Sequence, residues 1–283
     1  MDYRKQFRVK PGHKLRLNKL DPAYTGKEGS EDKAKEEAQH HLKELARQQT
    51  LLYAEHKHSV LIVLQAMDAG GKDGTIRHVF SGVNPQGVDV ASFKQPTALE
   101  AAHDFLWRVH PHAPRVGQIV IFNRSHYEDV LVTRVHKLID KKTCARRYEH
   151  ICDFEALLAQ SGTTILKFFL HISKEEQLAR FAQRLDDPAR NWKISESDYS
   201  ERDLWDDYTD AFEDAIRATS TDEAPWYVIP SNHKWFRNLT VSQIIADAMA
   251  DLGLAFPPPS VNVVDIKRKY HAAVAQAKGG KKA

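Results

Sequence analysis

The clearest structural pattern in the sequence is SVLIVLQAMDAGGKDGTIRHVF, residues 59–80. Its first eight residues are almost continuously apolar, which is typical of a strand buried on both faces of a parallel sheet. A glycine-rich segment, residues 68–74, follows at once, and a helix is expected from about Lys72. This strand–loop–helix order predicts a loop whose backbone N–H groups, together with the positive end of the helix, bind phosphate.

The loop departs from the usual phosphate-loop pattern GxxxxGK[ST] at two positions. Ala66 stands where the first glycine is usual, and Asp73 replaces the hydroxyl residue that normally binds Mg²⁺. Asp68 is unfavourable in an anion-binding loop unless a cation is nearby, so it is a candidate metal ligand or a base for the phosphate acceptor. A glycine-rich turn that binds no ligand stays open as the alternative.

The rest of the sequence alternates short apolar runs with longer helical segments. The runs after residue 66 lie at 88–93, 118–123, 164–172 and 226–230. This alternation predicts βαβ units and a doubly wound α/β domain. We expect one domain: an N-terminal arm and helix over 1–57, a core over 58–256 and a C-terminal tail over 257–283. The arm is expected to be extended up to Ser30, where a helix starts, and the tail to be mobile.

Composition excludes several classes of protein. Among 283 residues, 42% are apolar, and no run of 18 apolar residues is present to span a membrane. The N-terminus lacks the apolar segment of a secretory signal. The two cysteines fall about 12 Å apart along one predicted helix, too far for a disulfide. We therefore expect a reduced, cytoplasmic, globular protein.

A second polar cluster follows the third apolar run, in FNRSHYEDVLVTRVHKLI, residues 122–139. Such residues lie at the carboxyl edge of a parallel sheet, where α/β proteins bind ligands. Arg124 can bind a phosphate bidentately, while Glu128 and Asp129 can hold Mg²⁺ or simply cap the next helix. Arg134 and Lys137 are expected on one face of that helix, extending a basic surface.

Arginines recur in residues 175–193. Arg180 and Arg184 lie four residues apart, hence on one helical face, and Arg190 follows the helix-ending Pro188. Arginines on a mobile helix–loop can close over a phosphoryl group, which predicts a lid at about 175–195. Ordinary surface arginines are the alternative. Lys94, after the second run, is a further candidate at the same sheet edge.

The segment 194–224 is strongly acidic. Its larger apolar side chains fall at helical spacing, which is the pattern of an amphipathic surface helix. We assign it no chemistry. Those side chains are Leu204, Trp205, Tyr208, Phe212 and Ile216.

Taken together, these motifs resemble those of the polyphosphate kinase 2 family. The matching stretches are LQAMDAGGKDGTIRHVF, SFKQPT, VIFNRSHYEDVLVTRV and RFAQRLDDPARNWKIS, and the similarity runs from about Arg8 to about Phe256. The resemblance implies a thymidylate-kinase-like P-loop fold, a three-layer α/β/α sandwich with a central parallel sheet and a helical lid. It also implies a homo-oligomer, either a dimer or a tetramer.

The resemblance assigns roles to individual residues. Asp68 would bind metal and activate the acceptor phosphate, Lys72 would bind phosphate, and Arg124 would hold the transferring group. The candidate substrate-binding residues are Gly70, Gly71, Asp73, Gly74, Lys94, Asn123, Glu128, Asp129, Arg134, Arg180, Arg184 and Arg190.

The activity that the resemblance implies is reversible, Mg²⁺-dependent transfer of the terminal phosphoryl group of inorganic polyphosphate to a nucleotide, with Mn²⁺ as an alternative metal. The form NRSxYEDVLV resembles the subgroup that uses both AMP and ADP, and this subgroup assignment depends on Glu128 and Asp129. Adenine nucleotides are expected, with guanine nucleotides as an alternative.

Two rival functions are open. An ATP-dependent nucleoside monophosphate kinase shares the fold and the lid arginines. A nucleic-acid-binding or scaffold protein could use the basic N-terminal arm, but few aromatic residues are interleaved with its charges. We therefore expect neither nucleic acid nor membrane as a partner.

Overall fold

The computed structural model describes residues 1–26 and 30–279. Within them, six strands form one sheet in the order β1-β6-β5-β2-β4-β3. The strands are β1 (Arg8–Val9), β2 (Ser59–Ala66), β3 (Val88–Ser92), β4 (Ile119–Asn123), β5 (Thr163–His171) and β6 (Trp226–Pro230). Strands β2 to β6 pair in parallel, and β1 pairs antiparallel to β6. The five predicted strands are confirmed, and the parallel sheet gains a short antiparallel edge.

Helices cover both faces of the sheet. They are α1 (Tyr3–Phe7), α2 (Glu31–Glu55), α3 (Lys72–Val79), α4 (Ala98–Ala101), α5 (Val132–Val135), α6 (Lys141–Gln160), α7 (Lys174–Asp186), α8 (Glu196–Asp203), α9 (Trp205–Thr219), α10 (Lys234–Ala250) and α11 (Val263–Gly279). One core packs residues of α2 and α10 on the sheet, and a second packs residues of α6 and α9 on the other face. The expected three-layer α/β/α sandwich is confirmed.

The continuous apolar run of β2 follows from this layering. All eight of its residues are buried. Val60 and Ile62 point into the core with α2 and α10, whereas Leu61 and Val63 point into the core with α6 and α9. Because successive side chains alternate between two covered faces, both faces are largely apolar. The two buried polar residues at the strand ends, Ser59 and Gln65, each make a side-chain hydrogen bond.

The N-terminal segment is not the extended arm that the sequence predicts. Tyr3 is fully buried, and its ring packs edge-on against Phe236 of α10 with the centroids 5.5 Å apart. Arg8 and Val9 then pair with β6. A few aromatic and apolar side chains are enough to dock this segment, although they are too few to give a periodic pattern. Residues 27–29 of the predicted arm lie outside the described residues.

The C-terminal tail contains α11, which the sequence analysis did not predict. Val264 and Tyr270 on this helix are largely exposed, so it gains little from tertiary packing. The last four residues of the predicted mobile tail, 280–283, lie outside the description. Within the described part of the chain, we find no helix with the length and hydropathy needed to cross a membrane.

The sheet order places two loops side by side. Leu64 of β2 is in register with Asn123 of β4, and the backbone N–H of Arg124 donates to the Leu64 carbonyl at 3.2 Å. β2 also pairs with β5 on its other side. The loops after β2 and β4 therefore meet at the carboxyl edge of the sheet, where the strand order changes direction.

Candidate active site

The loop after β2 is shaped by two glycines. A Cβ on Gly70 would lie 2.4 Å from the Ala66 Cβ and 2.8 Å from the Met67 carbonyl oxygen, so only glycine fits there. Gly71 has φ of 103° and precedes α3, whose first turn has no side-chain cap. The N–H groups of that turn are consequently available to an anion.

Lys72 places an amine inside this loop. Its side chain is buried, and its Nζ donates to the Ala66 carbonyl at 3.2 Å. Burial lowers the pKa of Lys72, and the Arg124 guanidinium lowers it further, while Asp68 and Glu128 oppose both. An ammonium with three donors and one such carbonyl partner keeps donors for a phosphate oxygen.

Arg124 lies between two carboxylates. Its NH2 donates to Asp68 Oδ1 at 2.8 Å, and its NH1 is 4.0 Å from Glu128 Oε2. Its φ of 61° is a strained backbone conformation for a non-glycine residue. Burial raises the pKa of Glu128, although Arg124 and Lys72 act in the opposite direction. The structure thus brings Asp68, Lys72, Arg124 and Glu128 together.

Asp68 and Arg124 line two cavities at once. The larger one, here called the basic cleft, has a volume of about 1040 Å³ and runs over the phosphate loop and the lid. Ten of its lining residues are Lys or Arg and three are Asp. This excess of positive charge suits a polyanion.

The smaller cavity, here called the aromatic pocket, is lined by Trp205, Tyr208 and Phe212 of α9. Glu128 and Glu201 add negative charge, and the Tyr208 hydroxyl donates to Glu201 at 2.6 Å. Such walls fit an uncharged ring with polar edges better than a phosphate chain. The predicted amphipathic helix is confirmed in α9, which buries Phe212 and Ile216. The sequence analysis assigned it no chemistry, whereas the structure places it at a wall of the candidate site.

Arg180, predicted as a lid residue, instead stabilises the phosphate loop. Its side chain is buried, its Nε is 2.7 Å from Glu176 Oε1, and its NH1 donates to the Ala69 carbonyl at 2.9 Å. Ala69 itself has φ of 58°. Arg180 lines the basic cleft, but these contacts hold the phosphate loop in its strained shape.

The other residues of the expected lid contact one another and, through Lys193, the phosphate loop. Arg184 NH1 donates to the Lys193 carbonyl at 3.1 Å, and Lys193 Nζ is 3.1 Å from Asp73 Oδ2. Burial would raise the pKa of Asp73, but hydrogen bonds from Asn123 and Lys193 outweigh it and lower that pKa. Arg190 is 2.8 Å from Asp187. Lys94, which follows β3, also lines the basic cleft.

Two predicted substrate-binding residues lie elsewhere. Asp129 is buried and 3.0 Å from Arg108, whose NH1 donates to the Lys94 carbonyl. Arg134 is 2.8 Å from Asp214 and lines a different, polar depression. Lys137 is exposed beyond the end of α5, so it does not share a helix face with Arg134. Asp129 and Arg134 stabilise the surroundings of the site and line neither cavity that meets at Asp68.

The sequence analysis did not predict two basic residues that line the cleft, Lys234 and Arg237 of α10. They follow β6 in the stretch SNHKWFR. Polar residues directly after a parallel strand were the signal that identified Arg124, and the same signal was present here. That stretch matches no phosphate-binding motif, so its basic residues have no motif to identify them.

Comparisons with known proteins find relatives that match most of the chain. The family model described as polyphosphate kinase 2 matches residues 28–254. An AMP/ADP-polyphosphate phosphotransferase of Meiothermus ruber is 54% identical over 256 residues, which are 90% of this chain and 96% of that protein. An ADP-polyphosphate phosphotransferase of Rhodopseudomonas palustris is 46% identical over 269 residues, covering 89% of this chain and 92% of that protein. Among solved structures, the crystal structure of polyphosphate kinase 2 from Arthrobacter aurescens TC1 is similar, with a TM-score of 0.92 and 41% identity. That match covers 96% of this chain and 97% of the other.

Proposed function

The chain belongs to the polyphosphate kinase 2 family, and we propose that it transfers the terminal phosphoryl group of inorganic polyphosphate to AMP and ADP, giving ADP and ATP. The relative from Meiothermus ruber, which is named for both acceptors, is 54% identical and spans almost the whole chain. The relative from Rhodopseudomonas palustris is named for ADP alone. The greater identity to the first supports use of both nucleotides.

One observation carries the proposal: Asp68 and Arg124 lie where the basic cleft meets the aromatic pocket. Polyphosphate, with about one negative charge per unit, suits the cleft. The base and ribose of the acceptor suit the pocket. A nucleotide held there would direct its phosphate at Asp68 and Arg124, so transfer would take place at the junction.

The aromatic pocket is narrow in this conformation. Its volume is about 50 Å³, against about 1040 Å³ for the cleft on the same measure. That is room for a few water molecules and not for a purine. We therefore propose that α8 and α9 move outward when a nucleotide binds, as lid elements do in phosphotransferases.

The chemistry needs no covalent enzyme intermediate. An oxygen of the acceptor phosphate attacks the terminal phosphorus of polyphosphate, the bridging P–O bond breaks in line, and its electron pair leaves with the shortened chain. Because the acceptor oxygen is already anionic, positioning and charge neutralisation carry most of the catalysis. Lys72, Arg124 and the N–H groups of the loop neutralise charge, and Asp68 orients the attacking phosphate.

Magnesium fits this site as a partner of the substrate. Among residues 1–26 and 30–279, no three His, Cys, Asp or Glu side chains converge as a metal site. Mg²⁺ commonly binds through one or two carboxylates and completes its shell with phosphate oxygens and water. Asp68, which is partly exposed at the junction, would hold it, and Glu128 lies within the same pocket. The ion would neutralise charge on the transferring phosphates, and Mn²⁺ is an alternative.

A direct assay tests the proposal. The protein is incubated with polyphosphate, Mg²⁺ and either AMP or ADP, without ATP, and ATP is measured by luminescence. We expect ATP from ADP, and ADP followed by ATP from AMP. The rival nucleoside monophosphate kinase predicts no ATP in this assay and formation of ADP from ATP plus dTMP. That pair of results would overturn the proposal.

The cytoplasmic location, the single domain and the dimer or tetramer stay predictions. Light scattering during size-exclusion chromatography measures the oligomeric state directly.

A further inference from the structure

Arg237 reaches the phosphate loop from a distant part of the chain. It lies in the first turn of α10, after β6, and is only 3% exposed. A Cβ added to Gly71 would lie 2.1 Å from Arg237 NH1, and one added to Gly74 would lie 3.6 Å from NH2. The guanidinium therefore packs against the loop and the first turn of α3.

This buried cation has no acidic partner. Within the described residues, no carboxylate lies within 4.0 Å of the Arg237 guanidinium. Its Nε and NH2 donate to Asn238 Oδ1, at 3.1 Å and 2.8 Å. Buried charges in proteins are normally paired, because an uncompensated charge loses its hydration. An external anion at the loop would supply the missing charge.

A second guanidinium lies close to the first. Arg180 NH1 would be 3.4 Å from the same Cβ on Gly71. Burial lowers the pKa of Arg237 to about 10, and repulsion from Arg180 contributes to the shift. Arg180 is compensated by Glu176 and donates to the Ala69 and Ser231 carbonyls. Arg237 is thus the arginine of the two with donors left for a ligand.

We propose that Arg237 binds a phosphate of the polyphosphate chain at the N-terminus of α3, forming a phosphate subsite together with the N–H groups of the loop. The assignment to polyphosphate rests on the proposed function. Arg237 lines the basic cleft and does not line the aromatic pocket, so the subsite serves the donor and not the nucleoside. The bound phosphate compensates a charge that the free protein holds at a cost in stability.

The test uses tripolyphosphate as the ligand and thermal unfolding as the readout, beside steady-state kinetics. In the wild-type protein, tripolyphosphate is expected to raise the Tm. Without ligand, Arg237→Met is expected to be at least as stable as the wild type, because the uncompensated charge is gone. With ligand, its Tm rises much less, and its KM for polyphosphate increases about tenfold or more, the range expected for a hydrogen bond to a charged group.

Two further variants sharpen the result. Arg237→Lys keeps the charge but loses the bidentate geometry, so its affinity for tripolyphosphate lies between those of the wild type and Arg237→Met. Arg115→Met removes an exposed arginine just before β4, at the opposite edge of the sheet, and should behave as the wild type. For Arg237→Met, the KM for ADP is expected to stay within about twofold of the wild-type value.

Two outcomes would overturn the inference: a wild-type response of Arg237→Met to tripolyphosphate, or, if that variant does not fold, wild-type affinity in Arg237→Lys. The proposed function fails separately. If the wild type makes no ATP from polyphosphate while Arg237→Met still loses the response to tripolyphosphate, the subsite stands and the assigned reaction does not.

Discussion

Arg124 donates a hydrogen bond to Asp68 at 2.8 Å at the point where the basic cleft and the aromatic pocket meet. Each residue therefore already has a counter-charge before substrate arrives. On the proposed function, a phosphate that enters the junction would compete with Asp68 for Arg124 and would free a carboxylate oxygen for Mg²⁺. Binding of donor, acceptor and metal would then be coupled through one ion pair.

Asp68→Asn tests that junction. The amide keeps the size of the side chain but removes the charge, so we expect kcat to fall about 10²- to 10³-fold, as when a single preorganised electrostatic contact is lost. Both KM values should change only a few-fold. Asp89→Asn, on the exposed face of β3, is the matched control and should keep wild-type turnover. Full turnover of Asp68→Asn with polyphosphate and ADP would contradict the assignment.

Tyr208→Leu tests the aromatic pocket. Stacking of a base on an aromatic ring contributes about 1–3 kcal/mol, so its loss should raise the KM for AMP and ADP about tenfold and leave the KM for polyphosphate unchanged. Tyr270→Leu makes the same change on the exposed face of α11 and should have no effect on either value. A rise in the KM for polyphosphate instead would place the phosphate chain in the pocket.

Glu128→Gln tests the cost of a carboxyl that is largely removed from solvent. Burial raises the folded-state pKa of Glu128 above its usual 4.5. The folded protein then binds this proton more tightly than the unfolded chain, so stability is lost as pH rises through the raised pKa. We expect Glu128→Gln to be more stable than the wild type at pH 7, with the difference vanishing below about pH 4.5. Urea unfolding at both pH values measures it, and Glu149→Gln on the exposed side of α6 should show no such gain. A gain that is independent of pH would show that ionisation is not its cause.

Lys167→Met tests the support beneath the site. Lys167 is fully buried in β5, 2.5 Å from Glu155, and Glu155 also contacts His126 in the loop that carries Arg124. Removing the lysine leaves the buried Glu155 carboxylate without its cation and with contacts to His126 and Tyr127 alone, which typically costs about 3–5 kcal/mol. The double variant Lys167→Met with Glu155→Met should recover a large part of that loss in urea unfolding. Lys43→Met, exposed on α2, is the control. If the double variant were no more stable than the single one, the unpaired charge would not be the cause.

The sequence predicts a feature of the fold or the site wherever a local residue pattern coincides with a structural role. The apolar run over Ser59–Ala66 predicts a doubly covered strand because both of its faces are buried. The glycines before Lys72 predict the loop because only they fit its backbone. The cluster around Arg124 is predictable because a strand directs the residues that follow it to one edge of the sheet.

The remaining features depend on which surfaces meet after folding. Nothing near Arg134 in the chain indicates that Asp214 binds it, and nothing near Tyr208 indicates that it borders Asp68. Arg237 meets Gly71 only because β6 and β2 lie in one sheet with their carboxyl ends at the same edge. The N-terminal segment docks through apolar side chains that are scattered along it and show no periodic spacing.

The ion pair between Lys193 and Asp73 has a consequence for turnover. Both side chains are partly exposed, so the pair contributes only about 0–1 kcal/mol and a phosphate can displace Asp73 easily. The exchange also runs in reverse. When the shortened polyphosphate leaves, Asp73 can pair with Lys193 again. The positive charge of Lys193 is then compensated within the protein and does not hold the product. We expect an internal counterion of this kind to shorten the residence time of the product at little cost in affinity for the substrate.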